Sequence, residues 1–244
     1  MRRGLEAGKV IETLEKLHAR IAERFPSAGL GAVCADLVET ARTINTRARR
    51  IARPAFFLRM GVALVLIAVV AVQASAVSQI PWAKFKIAPD LAALAQGLDA
   101  GVNLLVLAGA AIWFLLGLEQ RLKRSRALKD LHELRSFAHV VDMHQLTKDP
   151  TVVLSHGPRT TTSPTREMTQ FQLTRYLEYC AEMLALIGKL AALYSEYTRD
   201  PEIVAAVNDV ESLATNLGRK IWQKITIMSQ LDEAQATVMP ANSP

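Results

Sequence analysis

The chain has 244 residues, 50% of them hydrophobic, with a net charge of +6 and a mean hydropathy of +0.17. That is apolar for a soluble protein. The basic excess lies beside two long apolar stretches rather than in a separate patch interleaved with aromatics, which excludes a nucleic-acid-binding role.

Residues 5–24 place Val10, Ile11, Leu14, Leu17, His18 and Ile21 at helical spacing and stop near Pro26. A second amphipathic helix begins near Gly31, with Leu30, Val33, Cys34, Leu37, Ala41 and Ile44 on its apolar side, and its last turns are rich in arginine. Residues 1–53 are therefore read as amphipathic helices that become basic before a membrane, with a bend at Pro54. Residues 54–78 form the first apolar span and residues 100–118 the second. An apolar helix of about 20 residues crosses a hydrocarbon core of about 30 Å. Between them, residues 79–99 make a short external loop containing Pro81, Trp82 and Pro89, too small for a folded ligand-binding domain. Residues 119–148 predict one more helix, stopped by Lys148-Asp149-Pro150. Residues 149–166 are a linker rich in Pro, Gly, Ser and Thr. Residues 167–232 predict an antiparallel helical hairpin. Leu173, Leu177, Cys180, Leu184, Ile187, Ala191 and Tyr194 form a heptad seam on its first helix. Asp200 and Pro201 start its second, with Val207, Val210, Ala214, Leu217 and Ile221 on one stripe. Residues 233–244 read as a disordered tail. Cys34 and Cys180, each among apolar neighbours, read as buried inert thiols rather than a disulfide or a zinc site.

Lys and Arg set the orientation. Arg42, Arg47, Arg49, Arg50, Arg53 and Arg59 precede or enter the first span; Arg121, Lys123, Arg124, Arg126 and Lys129 follow the second; the loop has only Lys84 and Lys86, offset by Asp90 and Asp99. Both termini are thus expected in the cytoplasm. Arg47, Arg49, Arg50, Arg53, Arg121, Lys123 and Arg124 are expected against anionic lipid headgroups. Small residues recur along each span, Gly61, Ala68 and Ser75 in the first and Gly101, Gly109 and Gly117 in the second. Close backbone approach at such residues holds membrane helices together, so these are the expected packing positions between the spans and toward a second copy.

Three of the five histidines fall in residues 130–145, DLHELRSFAHVVDMHQ. At 100° per residue, Leu131, Leu134, Phe137, Ala138 and Val141 share one face, and His132, Arg135, Ser136, His139 and Asp142 share the opposite one. These five are the candidate interaction face, with Arg135, His139 and Asp142 placed to form a buried polar network. A metal site is not expected: the residue four after His132 is Ser136, and His132 and His139 stand about 10 Å apart along the axis. No cofactor is expected either, because no phosphate-binding glycine loop or nucleophile elbow is present.

The run His132-Glu133-Leu134-Arg135 resembles the phosphoacceptor segment of sensor histidine kinases, and the layout of two spans followed by a helical hairpin is similar. The resemblance implies a phosphate relay at His132, without an ATP-binding module of its own. Over residues 119–231 the chain is also similar to an uncharacterised family of bacterial two-span inner-membrane proteins, which implies location but no activity. Taken together, the sequence predicts an all-α integral membrane protein, with a two-helix transmembrane hairpin carrying a cytoplasmic helical bundle. Its expected role is that of a non-enzymatic scaffold or partner-binding protein, homo-oligomeric or bound to another membrane protein. The alternatives are a relay through the His132 helix and a subunit of an oligomeric channel.

Overall fold

The structure, a computed structural model, describes residues 5–51, 56–78, 91–146, 148 and 168–238. The protein is all-α. Among the described residues there are six helices and no strand: α1 (Ala7–Arg24), α2 (Gly29–Ile51), α3 (Phe56–Ser78), α4 (Leu91–Leu146), α5 (Gln170–Tyr197) and α6 (Pro201–Val238). Arg53 and the bend at Pro54, the loop residues Pro81, Trp82 and Pro89, the linker 149–166 and residues 239–244 lie outside the described residues. The chain forms two compact units, one of Met1–Ala52 with Arg126–Pro244 and one of Arg53–Ser125.

The first unit is a helical bundle. Ala7, Val10, Leu14, Leu17 and Ile21 are the buried stripe of α1, and Leu30, Cys34, Leu37, Val38, Ala41, Ile44 and Ala48 that of α2. α5 is the central helix, with α1, α2 and α6 packed on it. It is buried on more than its seam, because Tyr176, Tyr179, Met183, Leu186 and Leu190 are also inside. Thr169 opens α5 with a capping box: its hydroxyl accepts from the Gln172 amide at 3.3 Å, and its own amide donates to Gln172 Oε1 at 2.9 Å. Asp200 starts α6, its Oδ1 accepting from the amides of Glu202 at 3.0 Å and Ile203 at 3.4 Å, with Pro201 as the first helical residue. α1 is clamped to α5 where the two terminal nitrogens of Arg20 donate to Glu182 at 2.6 and 3.3 Å and its guanidinium lies over the Tyr179 ring.

Two expected boundaries are corrected. α6 runs on to Val238, past the expected end at 232. α4 is one helix of 56 residues, where the sequence reading divided it into the end of a loop, a span and a further helix. No proline interrupts residues 91–146. Across the expected junction Glu119 and Lys123 form an i,i+4 ion pair at 2.7 Å, in the favourable order for a helix.

The second unit contains α3 and the first half of α4, running antiparallel. A Cβ built on Gly61 would lie 3.7 Å from Leu115 Cδ1, and one on Gly101 would lie 3.3 Å from Gln73 Nε2. Burial is inverted here. No described side chain of α3 is buried, and Ala108 is the only buried residue between positions 99 and 118. Trp113 is 80% exposed, Leu107 67% and Val70 66%. α4 is the one helix among the described residues long and apolar enough to cross a membrane, and the apolar stretch of α3, Arg59–Ser75, is shorter.

Replacing Asp200 by Ala removes the acceptor for the first free amides of α6. It is expected to lower stability by about 1 kcal/mol, a drop of about 2–4 °C in Tm, measured by circular dichroism in mild detergent. An unchanged Tm would show that the cap contributes nothing.

Candidate functional site

The second half of α4 carries the polar chemistry of the bundle. Its buried stripe is Ala127, Asp130, Leu131, Leu134, Ala138, Val141 and Gln145, so two polar residues share the apolar face. Asp130 is 1% exposed. Arg47 Nη1 of α2 donates to its Oδ1 at 2.6 Å, and the Tyr194 hydroxyl of α5 donates to its Oδ2 at 2.5 Å. One carboxylate thus joins three helices, with both oxygens occupied. The Arg47 side chain keeps 51% of its exposure, so most of the cost of leaving water falls on Asp130, and Arg47 compensates it while still hydrated. Burial first, then the hydrogen bond to Asp130 and its charge, push the Tyr194 phenol well above its ordinary range. Tyr194 therefore stays neutral and serves as a donor.

Gln145 makes a second junction. It is 2% exposed; its Nε2 donates to Asp142 Oδ1 at 2.6 Å, and its Oε1 accepts from Lys224 Nζ of α6 at 2.6 Å. Among the described residues no buried side-chain nitrogen or oxygen lacks a partner.

The candidate face is placed differently from the expectation. His132, Arg135, Ser136 and His139 are exposed, and Asp142 is half-buried. They share one side of α4, but the buried network expected among Arg135, His139 and Asp142 is not there. Asp142 turns to Gln145 instead, because the apolar stripe carries its own polar residues into the core. His144 leaves this face altogether and packs on the backbone of α2, where a Cβ on Gly29 would come within 3.0 Å of its Cε1. Among the described residues no three His, Cys, Asp or Glu side chains are grouped to hold a metal ion.

The small-residue positions divide as well. Gly61 and Gly101 lie where α3 and α4 meet, whereas Ala68, Ser75 and Gly109 are exposed, and a Cβ on Gly109 or Gly117 would meet nothing within 4 Å. The half-buried positions of α3 are Gly61, Val62, Val65, Val69 and Gln73, and those of α4 include Gly101, Leu104, Ala111, Ile112, Leu115 and Gly117, with Ala108 buried among them. Glycine content is thus a poorer guide to these contacts than phase on the helix. Residues assigned to lipid are also engaged within the protein, among them Arg47 with Asp130, Arg49 with Asn45 and Lys123 with Glu119.

Sequence reasoning passed over Asp130, although the signal was present. Asp130, Leu134, Val141 and Gln145 are in phase on the stripe, and a carboxylate in phase with an apolar stripe must find partners inside. Cys34 and Cys180 are both free and buried, and burial raises each thiol to about 12. No family model, no curated protein and no solved structure matches the chain.

Two outcomes are expected. Arg47→Met leaves a buried carboxylate with only a neutral partner and should cost about 2–3 kcal/mol, less than a fully buried pair because Arg47 is half-exposed. Asp130→Asn should cost less, since the amide still accepts a hydrogen bond and no charge is stranded. Chemical denaturation of both variants measures this, and equal losses would contradict the account. The second outcome concerns alkali. Unfolded thiols ionise near their ordinary value of 9.0 and the folded ones near about 12. A raised folded value means that this stability is complete below pH 9 and is lost as the pH climbs toward 12. Tm should fall across that window, and more gently in the Cys34→Ala/Cys180→Ala variant; identical slopes would remove the thiols from the explanation.

Proposed function

We propose that the protein is an integral membrane scaffold, working by binding rather than by catalysis. α3 and the first half of α4 cross the bilayer as a hairpin, with both termini in the cytoplasm of a bacterial cell. The bundle is held beside the membrane and offers the outer face of α4 to a protein partner. The observation that carries this reading is the inverted burial of the second unit, where large aliphatic and aromatic side chains point outward around both helices. Soluble monomers rarely leave apolar patches of more than a few hundred Å² in water, whereas lipid is the medium in which that surface is stable. Arg59–Ser75 is at the short end of the range of about 17–25 residues that spans a hydrocarbon core, and Arg59 at its edge can extend toward the headgroups. The exposed Ala68, Ser75 and Gly109 are available for contact with a second hairpin and support a homo-oligomer. His132, Arg135, Ser136 and His139 provide the polar, solvated surface that a partner would meet.

The test uses the full chain with Cys34 and Cys180 replaced by Ala. Single cysteines are placed at Gln96 and at Ser136. With the inner membrane intact and any outer barrier opened, an impermeant thiol reagent is expected to label Gln96→Cys and not Ser136→Cys, and the protein should stay in the membrane pellet under alkaline carbonate. Labelling of Ser136→Cys from outside would reverse the orientation, and release by carbonate would remove membrane insertion altogether.

A further inference from the structure

We infer that the end of the bundle that carries Arg50 of α2 and Arg126 of α4 is a binding surface for the phosphodiester headgroup of an anionic phospholipid, gripped by these two residues. This rests on the reading that the apolar unit lies in a bilayer. The two helices run antiparallel here: Arg47 meets Asp130 at 2.6 Å, and Thr40 lies 3.4 Å from Glu133. Moving toward the C-terminal end of α2 therefore means moving back along α4. One turn beyond the Arg47–Asp130 pair stand Arg50 on α2 and Arg126 on α4, both exposed, with Ala48 and Ala127 as fully buried residues of the same turns.

Two cationic side chains on neighbouring helices repel and favour an anion beside them. The carboxylate one turn along α4 from Arg126, Asp130, has both oxygens taken by Arg47 and Tyr194. Among the described residues no carboxylate pairs with Arg50, Arg126 or Lys129. Arg49, also exposed, is braced through its Nε on Asn45 Oδ1 at 3.1 Å. In sequence, Arg50 lies two residues before Ala52, the last residue of the bundle's first segment, and Arg126 is the first residue of its second.

A topological signal needs only positive charge on one side. This arrangement supplies more, two uncompensated guanidiniums that each offer the planar fork that matches phosphate oxygens. Its occupant is a lipid rather than a free anion, because the lipid is held at the same boundary by its own chains, whereas soluble phosphate must be captured from dilute solution.

The full-length protein in mild detergent is titrated with phosphatidylglycerol or with phosphatidylcholine of the same chains, and retained lipid is read by native mass spectrometry. Wild type is expected to retain phosphatidylglycerol preferentially. Arg50→Gln/Arg126→Gln should lower that retention about tenfold, whereas Lys189→Gln/Lys220→Gln, the same charge loss at exposed sites elsewhere in the bundle, should leave it unchanged. Arg50→Lys/Arg126→Lys keeps the charge, guards against a folding defect, and should fall between. Equal phosphatidylglycerol retention by wild type and the Arg→Gln pair, or full retention by the Lys pair, would overturn the site. Displacement of the lipid by millimolar inorganic phosphate would overturn the assignment to a headgroup. A protein that resists carbonate yet shows no lipid preference fails only this inference; one released by carbonate fails the membrane reading itself.

Discussion

The carboxylate of Asp130 lies among apolar side chains with almost no access to water, and an anion in that position is stable only if protein donors replace its hydration. Arg47 and Tyr194 do so from two different helices, at 2.6 and 2.5 Å. Hydrophobic packing between α2, α4 and α5 is tolerant of small slips, because one aliphatic contact is much like another. A hydrogen-bonded ion pair is not tolerant, since a shift by one residue would strand the charge. The Asp130 junction therefore specifies register as well as contributing to stability, a role buried polar groups serve in other helical assemblies. The Gln145 junction repeats the logic nearer the end of α4, tying Asp142 to Lys224 on α6.

Several features follow from that constraint. Arg47 is half-exposed but committed to Asp130, which sets it apart from Arg50 and Arg126, neither of which has a carboxylate partner among the described residues. The polar capacity of the stripe is met inside the bundle, so His132, Arg135, Ser136 and His139 have no internal duty and remain solvated. α4 meanwhile obeys two opposite burial rules along one unbroken helix. In its second half the stripe of Leu131, Leu134, Ala138 and Val141 turns inward together with Asp130, while Arg135 and His139 stay outside; in its first half Trp113, Phe114, Leu107 and Val106 are exposed. Local backbone energetics do not distinguish these halves, which is why the helix continues through the Glu119–Lys123 pair without a break.

Much of the architecture was already readable in the residues, because it depends on periodicity. All seven seam positions of α5 from Leu173 to Tyr194 and all five stripe positions of α6 from Val207 to Ile221 are buried, and the cap at Asp200 lies where its residue type and the following proline placed it. What could not be read was different in kind. The small residues Ala68, Ser75 and Gly109 looked like packing positions, yet they face outward, because the side an apolar helix turns to its neighbour is decided by the whole interface and not by where glycine occurs.

The sequence by itself determined that the protein is all-helical, where most helices begin, which stripe of each is apolar, and that two of them carry apolar side chains on every side. These are local properties, set by neighbours three and four positions away. Only the tertiary structure decided which partner each inward polar atom meets. Asp130 lies 83 positions from Arg47 and 64 from Tyr194, and no local pattern links residues so far apart. Their pairing depends on how three helices pack, and that is determined by the summed burial of the whole bundle.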